Sequence, residues 1–270
     1  MTEIRPKIHS AFDMVMFDWA GTMVDFGSRA PVLALIEAFR LSGVPAEESE
    51  ARADMGRAKA DHIRAMLAQP RLAAAWEEAR GKAPDEAATA EVLETLQEPM
   101  IRLARETAHL VPGAAETVAR LREEGITIAS CTGYSREMME AILPTAKAEG
   151  YDPDLVVCAN ETAQGRPSPL MIYKACADLG VWPLERVVKV DDAEVGMAEG
   201  RNAGCFTVGV AASGNAVGLS VEELAALDPA DRADRVAAAG ERLKAAGADL
   251  VIDSVADLIQ ALEAEVARRG

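Results

Sequence analysis

Six short apolar runs rich in β-branched residues punctuate the chain: MVMFDW (14–19), ITIASC (126–131), DLVVCA (154–159), VVKVDD (187–192), FTVGVA (206–211) and DLVIDS (249–254). Each has the length and polar boundaries of a buried strand. Between them lie segments such as GAAETVARLREEG (113–125) and PLMIYKACADLG (169–180), whose apolar residues recur at three and four, the spacing of a helix with one buried face. Strands alternating with helices predict an α/β fold on a doubly wound parallel sheet. From 29 to 104 the alternation stops and only helical pattern remains, rich in Ala, Glu, Arg and Leu. That span is too long for a crossover connection. The pattern therefore predicts a helical cap domain, 29–104, inserted into an α/β core made of 1–28 and 105–270. GLSVEELAALDPADR (218–232) reads as a loop and helix appended to that core.

In a doubly wound sheet, ligands bind beyond the carboxyl ends of the strands. The residues at those ends are Asp18, Thr132, Arg166 shortly after its strand, and the pair Asp191–Asp192. Asp18 sits in MFDWAGTMVDF, at the tip of a buried run and just before a Gly-Thr turn, the position of a displayed nucleophile. Two converging carboxylates repel unless a cation lies between them, so Asp18 and Asp192 predict a Mg²⁺ site. Thr132 offers a hydroxyl, and Gly133 a peptide N–H, to a phosphoryl oxygen. Arg166 precedes Pro167, which keeps it out of a helix and free to counter phosphoryl charge. Taken together, these groups suit metal-assisted phosphoryl transfer.

A further group comes from the helical region. In ARADMGRAKADHIRAML (51–67), Met55, Lys59, His62 and Met66 fall on one face at helical spacing, with Arg52 a turn earlier. Gly56 weakens a continuous helix there and suits a bend or a close approach. A lysine in an apolar setting or beside another cation loses part of its preference for the charged form, and its free amine can attack a carbonyl.

Charge and cysteine content narrow the partners. The formal net charge is −16, which argues against nucleic acid or anionic membrane as a broad-surface partner. An anionic substrate must be met by a few local cations or a metal ion. Cys131, Cys158, Cys176 and Cys205 have no metal-ligand spacing and read as buried free thiols in a reducing compartment. The opening MTEIRPKIHSAFD has no apolar leader core, and no window approaches eighteen uninterrupted apolar residues. A soluble cytoplasmic protein is expected.

The order Asp-x-x-Gly-Thr on the first strand, Thr-Gly after the second, a basic residue, then an acidic pair resembles the haloacid dehalogenase superfamily. Most phosphatases of that superfamily carry Asp-x-Asp on the first strand, the second Asp being a general acid. Here that position is Ala20. Ala20 together with Lys59 resembles the phosphonoacetaldehyde hydrolase (phosphonatase) branch, through FDWAGTMVDFGS, MGRAKADHIR, CTGYSREMM, AQGRPSPLMIYKA, VVKVDDAE and EGRNAGCFTVGV. The resemblance implies a P–C bond hydrolase in which Lys59 forms an imine with the substrate aldehyde and Asp18 attacks phosphorus. It also implies that Ala20 gives its backbone carbonyl to Mg²⁺, and that Met55, His62 and Tyr134 lie close to the lysine or to proton transfer. A hinge at Gly27 and Ser28 and a homodimer formed through the cap are implied as well.

One departure stands out. Many superfamily members carry a further acid four residues beyond the metal-ligand Asp, where this chain has Gly196. A water, Glu194 or Asp191 is then left to compensate. Three rival readings remain: a phosphatase for a small phosphate ester, a non-catalytic phosphonate-binding module, and a lysine-imine hydrolase for a different phosphonoaldehyde.

Overall fold

The computed structural model describes residues 7–269. Residues 1–6, the start of the segment read above for a leader, lie outside the described residues. All six apolar runs are strands: β1 (Met14–Phe17), β2 (Thr127–Thr132), β3 (Leu155–Cys158), β4 (Val187–Asp191), β5 (Phe206–Val210) and β6 (Leu250–Ile252). They form one parallel sheet in the order β3-β2-β1-β4-β5-β6.

Six helices lie between β1 and β2, and the first five make up the helical span: α1 (Arg29–Leu41), α2 (Glu48–Arg52), α3 (Lys59–Leu67), α4 (Pro70–Arg80) and α5 (Glu86–Glu106). The last of them runs one turn-half beyond residue 104, the boundary read from the pattern. Then follow α6 (Ala114–Glu123), α7 (Arg136–Glu140), α8 (Leu143–Ala148), α9 (Leu170–Leu179) and α10 (Glu194–Ala203). The chain closes with α11 (Val221–Ala225), α12 (Pro229–Ala246) and α13 (Leu258–Arg269). The segment read as one appended helix is therefore two, separated before Pro229, which starts α12 behind an Asp228 cap. Among the described residues no helix is long and apolar enough to cross a membrane.

Alternation along β1 sorts its side chains between two helical layers. Met14 and Met16 pack with Met171, Ile172 and Ala175 of α9. Val15 and Phe17 belong to the opposite cluster, with Val118 and Leu121 of α6. With both faces covered, the strand is apolar throughout, as buried parallel strands are. Each such side chain contributes about 1.5–3 kcal/mol of burial before entropy is counted. In the helical region α1 packs along α5, burying Leu35 and Phe39 against a set that includes Leu96 and Met100. All four cysteines are buried and free.

β1 lies at the centre of the sheet, Phe17 facing Ser130 of β2 on one side and Val190 of β4 on the other. The chain winds outward from β1 through β2 and β3, then returns to β4 on the other side. A crevice opens at such a reversal of direction, beyond the strand ends. Asp18, Thr132 and the Asp191–Asp192 pair are delivered there by three adjacent strands.

Candidate active site

Asp18 follows the last residue of β1, and its N–H is held by the Val190 carbonyl at 2.9 Å. Asp192 lies one step past β4, and its Oδ2 accepts the Asn215 N–H at 2.7 Å. Carboxylate oxygens of Asp18, Asp191 and Asp192 come within 4.8 Å of one another, all three residues buried. Thr132 closes β2; its hydroxyl oxygen accepts the Tyr134 N–H at 3.1 Å, which leaves its own proton to donate.

Arg166 is drawn far deeper into the charge network than an isolated phosphate counter-ion. Its Nη2 is 2.8 Å from Asp18 Oδ1 and 3.3 Å from Asp191 Oδ2, and donates to the Cys131 carbonyl at 2.7 Å. Its Nε donates to Glu199 Oε2 at 2.9 Å. Two partners in this network were not recognised from sequence, Lys189 and Glu199, both fully buried. Lys189 Nζ lies 2.7 Å from Asp191 Oδ2, 3.1 Å from Cys131 Sγ and 3.5 Å from Glu199 Oε2. The signal was present: a lysine inside the apolar run VVKVDD needs a buried partner.

Four buried carboxylates (Asp18, Asp191, Asp192 and Glu199) thus face two buried cations, Arg166 and Lys189. Burial and Arg166 oppose the Lys189 charge, but Asp191, Cys131 and Glu199 prevail and hold its pKa above the usual lysine value. Burial likewise opposes ionisation of Asp191, yet Arg166 and Lys189 keep it below the usual carboxylate range. Asp18 is pushed up to about 6 by burial and by Asp191. Asp192 is pushed well above its ordinary value by burial, Asp18 and Asp191, with backbone N–H groups alone opposing. The two acids lacking sufficient cation stand side by side and offer hard oxygen donors. A divalent ion of the Mg²⁺ type fits that donor set and charge.

The helical region closes over this edge. Met55 is not on the face of α3, contrary to the helical spacing, because Gly56 takes φ +90° and ends the regular turns. Residues 53–57 form a turn, and α3 starts at Lys59 itself. A β-carbon at 56 would meet Val195 Cγ2 at 2.7 Å and Ala193 Cβ at 3.0 Å, so only glycine allows the turn to press against the start of α10. Met55, Lys59, His62 and Met66 are nonetheless all buried.

Lys59 Nζ sits 5.2 Å from the centre of the Tyr134 ring. Its pKa falls to about 8, through burial and Arg166, with Asp18 pulling the other way. Its place in the first turn of α3 further disfavours a cation. His62 donates from Nε2 to the Ala51 carbonyl at 2.9 Å, which leaves Nδ1 as a buried lone pair without a partner. Burial and the neighbouring Lys59 bring His62 down to about 3, so it is neutral. A cavity of about 20 Å³ is lined by Asp18, Ala20, Lys59, Asp192 and Arg166, together with Met55, Thr132, Gly133 and Tyr134. Arg52, His62, Met66 and Asp191, also singled out from the sequence, do not line this enclosure. A larger cavity of about 420 Å³, lined by Leu93, Gln97, Ile101 and Met138, adjoins it at Lys59 and Gly133. Glu194 is turned away, paired with Arg242 at 2.6 Å.

The profile of the haloacid dehalogenase-like hydrolases matches residues 12–204. The chain is 48% identical to a phosphonoacetaldehyde hydrolase of Paraburkholderia xenovorans over 94% of its own length and 96% of that protein's. The chain belongs to the phosphonoacetaldehyde hydrolase family. It is also 39% identical to the phosphonoacetaldehyde hydrolase of Bacillus cereus, over 93% of its length and 95% of that protein's. A crystal structure of a phosphonoacetaldehyde hydrolase-like protein from Oleispira antarctica superposes with a TM-score of 0.93 at 37% identity, covering 100% of this chain and 98% of the other. Beside the Asp18 carboxylate at the end of β1 the chain sets the cations Arg166 and Lys189 and the amine of Lys59.

Proposed function

We propose that the protein hydrolyses the P–C bond of phosphonoacetaldehyde, giving acetaldehyde and phosphate. The observation that carries this reading is the amine of Lys59, with its pKa near 8, in one enclosure with the Asp18 carboxylate. The residue two places after Asp18 is Ala20, so that position has no carboxyl to protonate a leaving oxygen.

The chemistry follows from the leaving group. A carbanion is far poorer than an alkoxide, and an acid at position 20 would not rescue it. Neutral Lys59 adds to the aldehyde carbonyl, the carbinolamine takes up one proton from solvent, water departs, and a protonated imine remains. Asp18 then attacks phosphorus, the P–C electron pair moves into the imine to form an enamine, and an aspartyl phosphate results. Protonation of the enamine carbon and hydrolysis of the imine release acetaldehyde and restore Lys59. Water cleaves the aspartyl phosphate and restores Asp18.

Thr132, Gly133 and Arg166 hold the phosphonate oxygens, and Arg166 also keeps Asp18 aimed. Mg²⁺ held by Asp18, Asp192 and the Ala20 carbonyl would offset phosphonate charge beside the attacking carboxylate. Met55 and Tyr134 wall the lysine, and His62, held neutral, adds no competing charge beside it. Residues 29–104 act as a cap on a core of 1–28 and 105–270. Asp25, Gly27 and Ser28 have φ of 54°, 87° and 50°, a strained run suited to a hinge. Opening at that hinge admits a substrate for which 20 Å³ leaves no room, and closure excludes water from the imine. A homodimer formed through the caps completes the reading.

The test is reductive trapping. Purified protein is mixed with phosphonoacetaldehyde and Mg²⁺, treated with borohydride, and its peptides are mapped by mass. A two-carbon adduct on Lys59, with phosphate released in unreduced controls, supports the reading. Phosphate release without a lysine adduct defeats it.

A further inference from the structure

Leu93, Gln97 and Ile101 recur every four residues along α5 and so share one face of that helix. α5 runs beside α7, and together with Met138 of α7 this face lines the cavity of about 420 Å³ that adjoins the site. Pockets for small molecules span about 300–1,000 Å³, so the chamber is large enough for one. Leu93, Ile101 and Met138 give it apolar walls, while the exposed Gln97, Glu137 and Asn160 mark its mouth. Among the described residues, Lys59 and Glu137 are the only charged ones that line it. An anion meets no guanidinium there, whereas a hydrocarbon finds surface to bury against.

Two residues line both this chamber and the enclosed cavity of about 20 Å³: Lys59 and Gly133. In the proposed reaction Lys59 takes the carbonyl carbon, and Gly133 meets a phosphonate oxygen. The substrate carbon that joins those two groups therefore lies at the partition, with the chamber beyond it. The enclosed cavity has no room for anything attached to that carbon. The chamber has.

We propose that the chamber is a subsite for an alkyl group on the carbon between phosphorus and aldehyde, so that the protein cleaves 2-alkyl phosphonoacetaldehydes as well as the parent compound. This rests on the reaction proposed above, and the steps are the same. Lys59 forms the protonated imine with loss of water, and Asp18 takes the phosphoryl group as the P–C electron pair becomes the enamine. The enamine carbon, now bearing the alkyl group, takes up a proton, and water releases the longer aldehyde. The sum is one phosphonoaldehyde and one water consumed, one alkyl aldehyde and one phosphate formed, with no oxidant or reductant. Leu93, Ile101 and Met138 are then specificity-determining residues, and Glu137 at the mouth disfavours a substituent that ends in a carboxylate.

The experiment measures phosphate release, with Mg²⁺, from phosphonoacetaldehyde, 2-phosphonopropanal and 2-phosphonohexanal. The starting protein is compared with Leu93→Trp and Ile101→Trp, each of which puts an indole into the chamber. In the starting protein kcat/KM for 2-phosphonohexanal should exceed that for 2-phosphonopropanal by about ten-fold or more, since each buried methylene favours binding about four-fold. Either tryptophan should remove that advantage and leave phosphonoacetaldehyde within about two-fold of its starting kcat/KM. A kcat/KM that falls with chain length overturns the inference. So does an advantage that survives in a folded tryptophan variant. Should both variants fail to fold, the chain-length series decides alone. Phosphate from phosphonoacetaldehyde but none from 2-phosphonohexanal overturns the chamber subsite and leaves the proposed reaction standing, whereas no phosphate from any of the three overturns both.

Discussion

Arg52 and Asn215 clasp each other across the mouth of the site: Arg52 Nη1 donates to Asn215 Oδ1 at 3.0 Å, and Asn215 Nδ2 donates to the Arg52 carbonyl at 3.2 Å. The same guanidinium reaches the Gly27 and Gly218 carbonyls, both at 3.1 Å. Asn215 also gives its N–H to Asp192. One arginine thus joins the end of α2, the strained run at 25–28 and, through Asn215, the Asp192 carboxylate. Arg52→Ala should lower kcat/KM about ten-fold through misplacement of the 53–58 turn. Thermal stability should fall far less than loss of a core residue would cause. Steady-state assays beside a thermal melt check this; unchanged kcat/KM removes the clasp from the account.

In the proposed reaction the Lys59 amine sets an acid limit on imine formation. Its pKa is lowered to about 8, so the neutral fraction falls about ten-fold for each pH unit below that value. The rate of trapping with cyanoborohydride should rise with pH and level off above about 8. A midpoint near the ordinary lysine value of 10.5 would show that the buried environment does not activate the amine. Lys59→Arg, which cannot lose its charge, should form no adduct at any pH.

Magnesium should stabilise the fold more as pH rises. Asp18 ionises near 6 in the folded protein without metal, against 3.8 when unfolded, so the fold binds its proton more tightly. That proton's contribution is present below the unfolded value and is lost as pH rises through about 6. A cation favours the ionised carboxylate and competes with the proton. The rise in Tm on adding Mg²⁺ should therefore be small at about pH 5 and larger at about pH 7.5. Equal shifts at both values would argue against Asp18 as a ligand.

Lys189 neutralises charge at the base of the site. Lys189→Met leaves Asp191 and Glu199 facing each other with Arg166 as their one remaining cation, and should cost about 3–5 kcal/mol of stability. Urea unfolding measures it. A loss under about 1 kcal/mol would mean that the carboxylates take up protons at little cost instead.

The six strands, their alternation with helices and the helical span after β1 were legible because burial imposes periodicity on a sequence. That Asp18, Thr132 and Asp192 meet at one edge was legible because strand ends are legible and a parallel sheet brings its carboxyl ends to one edge. Lys59 could be singled out from the polar breaks in a Met-lined pattern. Its helical register with Met55 could not, because the positive φ of Gly56 answers to Val195 and Ala193, which are distant in the chain.

Tertiary packing alone decided the charge network. Nothing local marks Glu199 as the partner of Arg166 and Lys189. Those relationships exist only once β4, α10 and the loop at Arg166 meet. Sequence by itself determined which elements form and which chemical groups stand at their ends, since both follow from local pattern. Which charges pair, which carboxylates are left wanting a cation and how closely the lysine is enclosed depend on distances between segments far apart in the chain, and those distances are set by the fold.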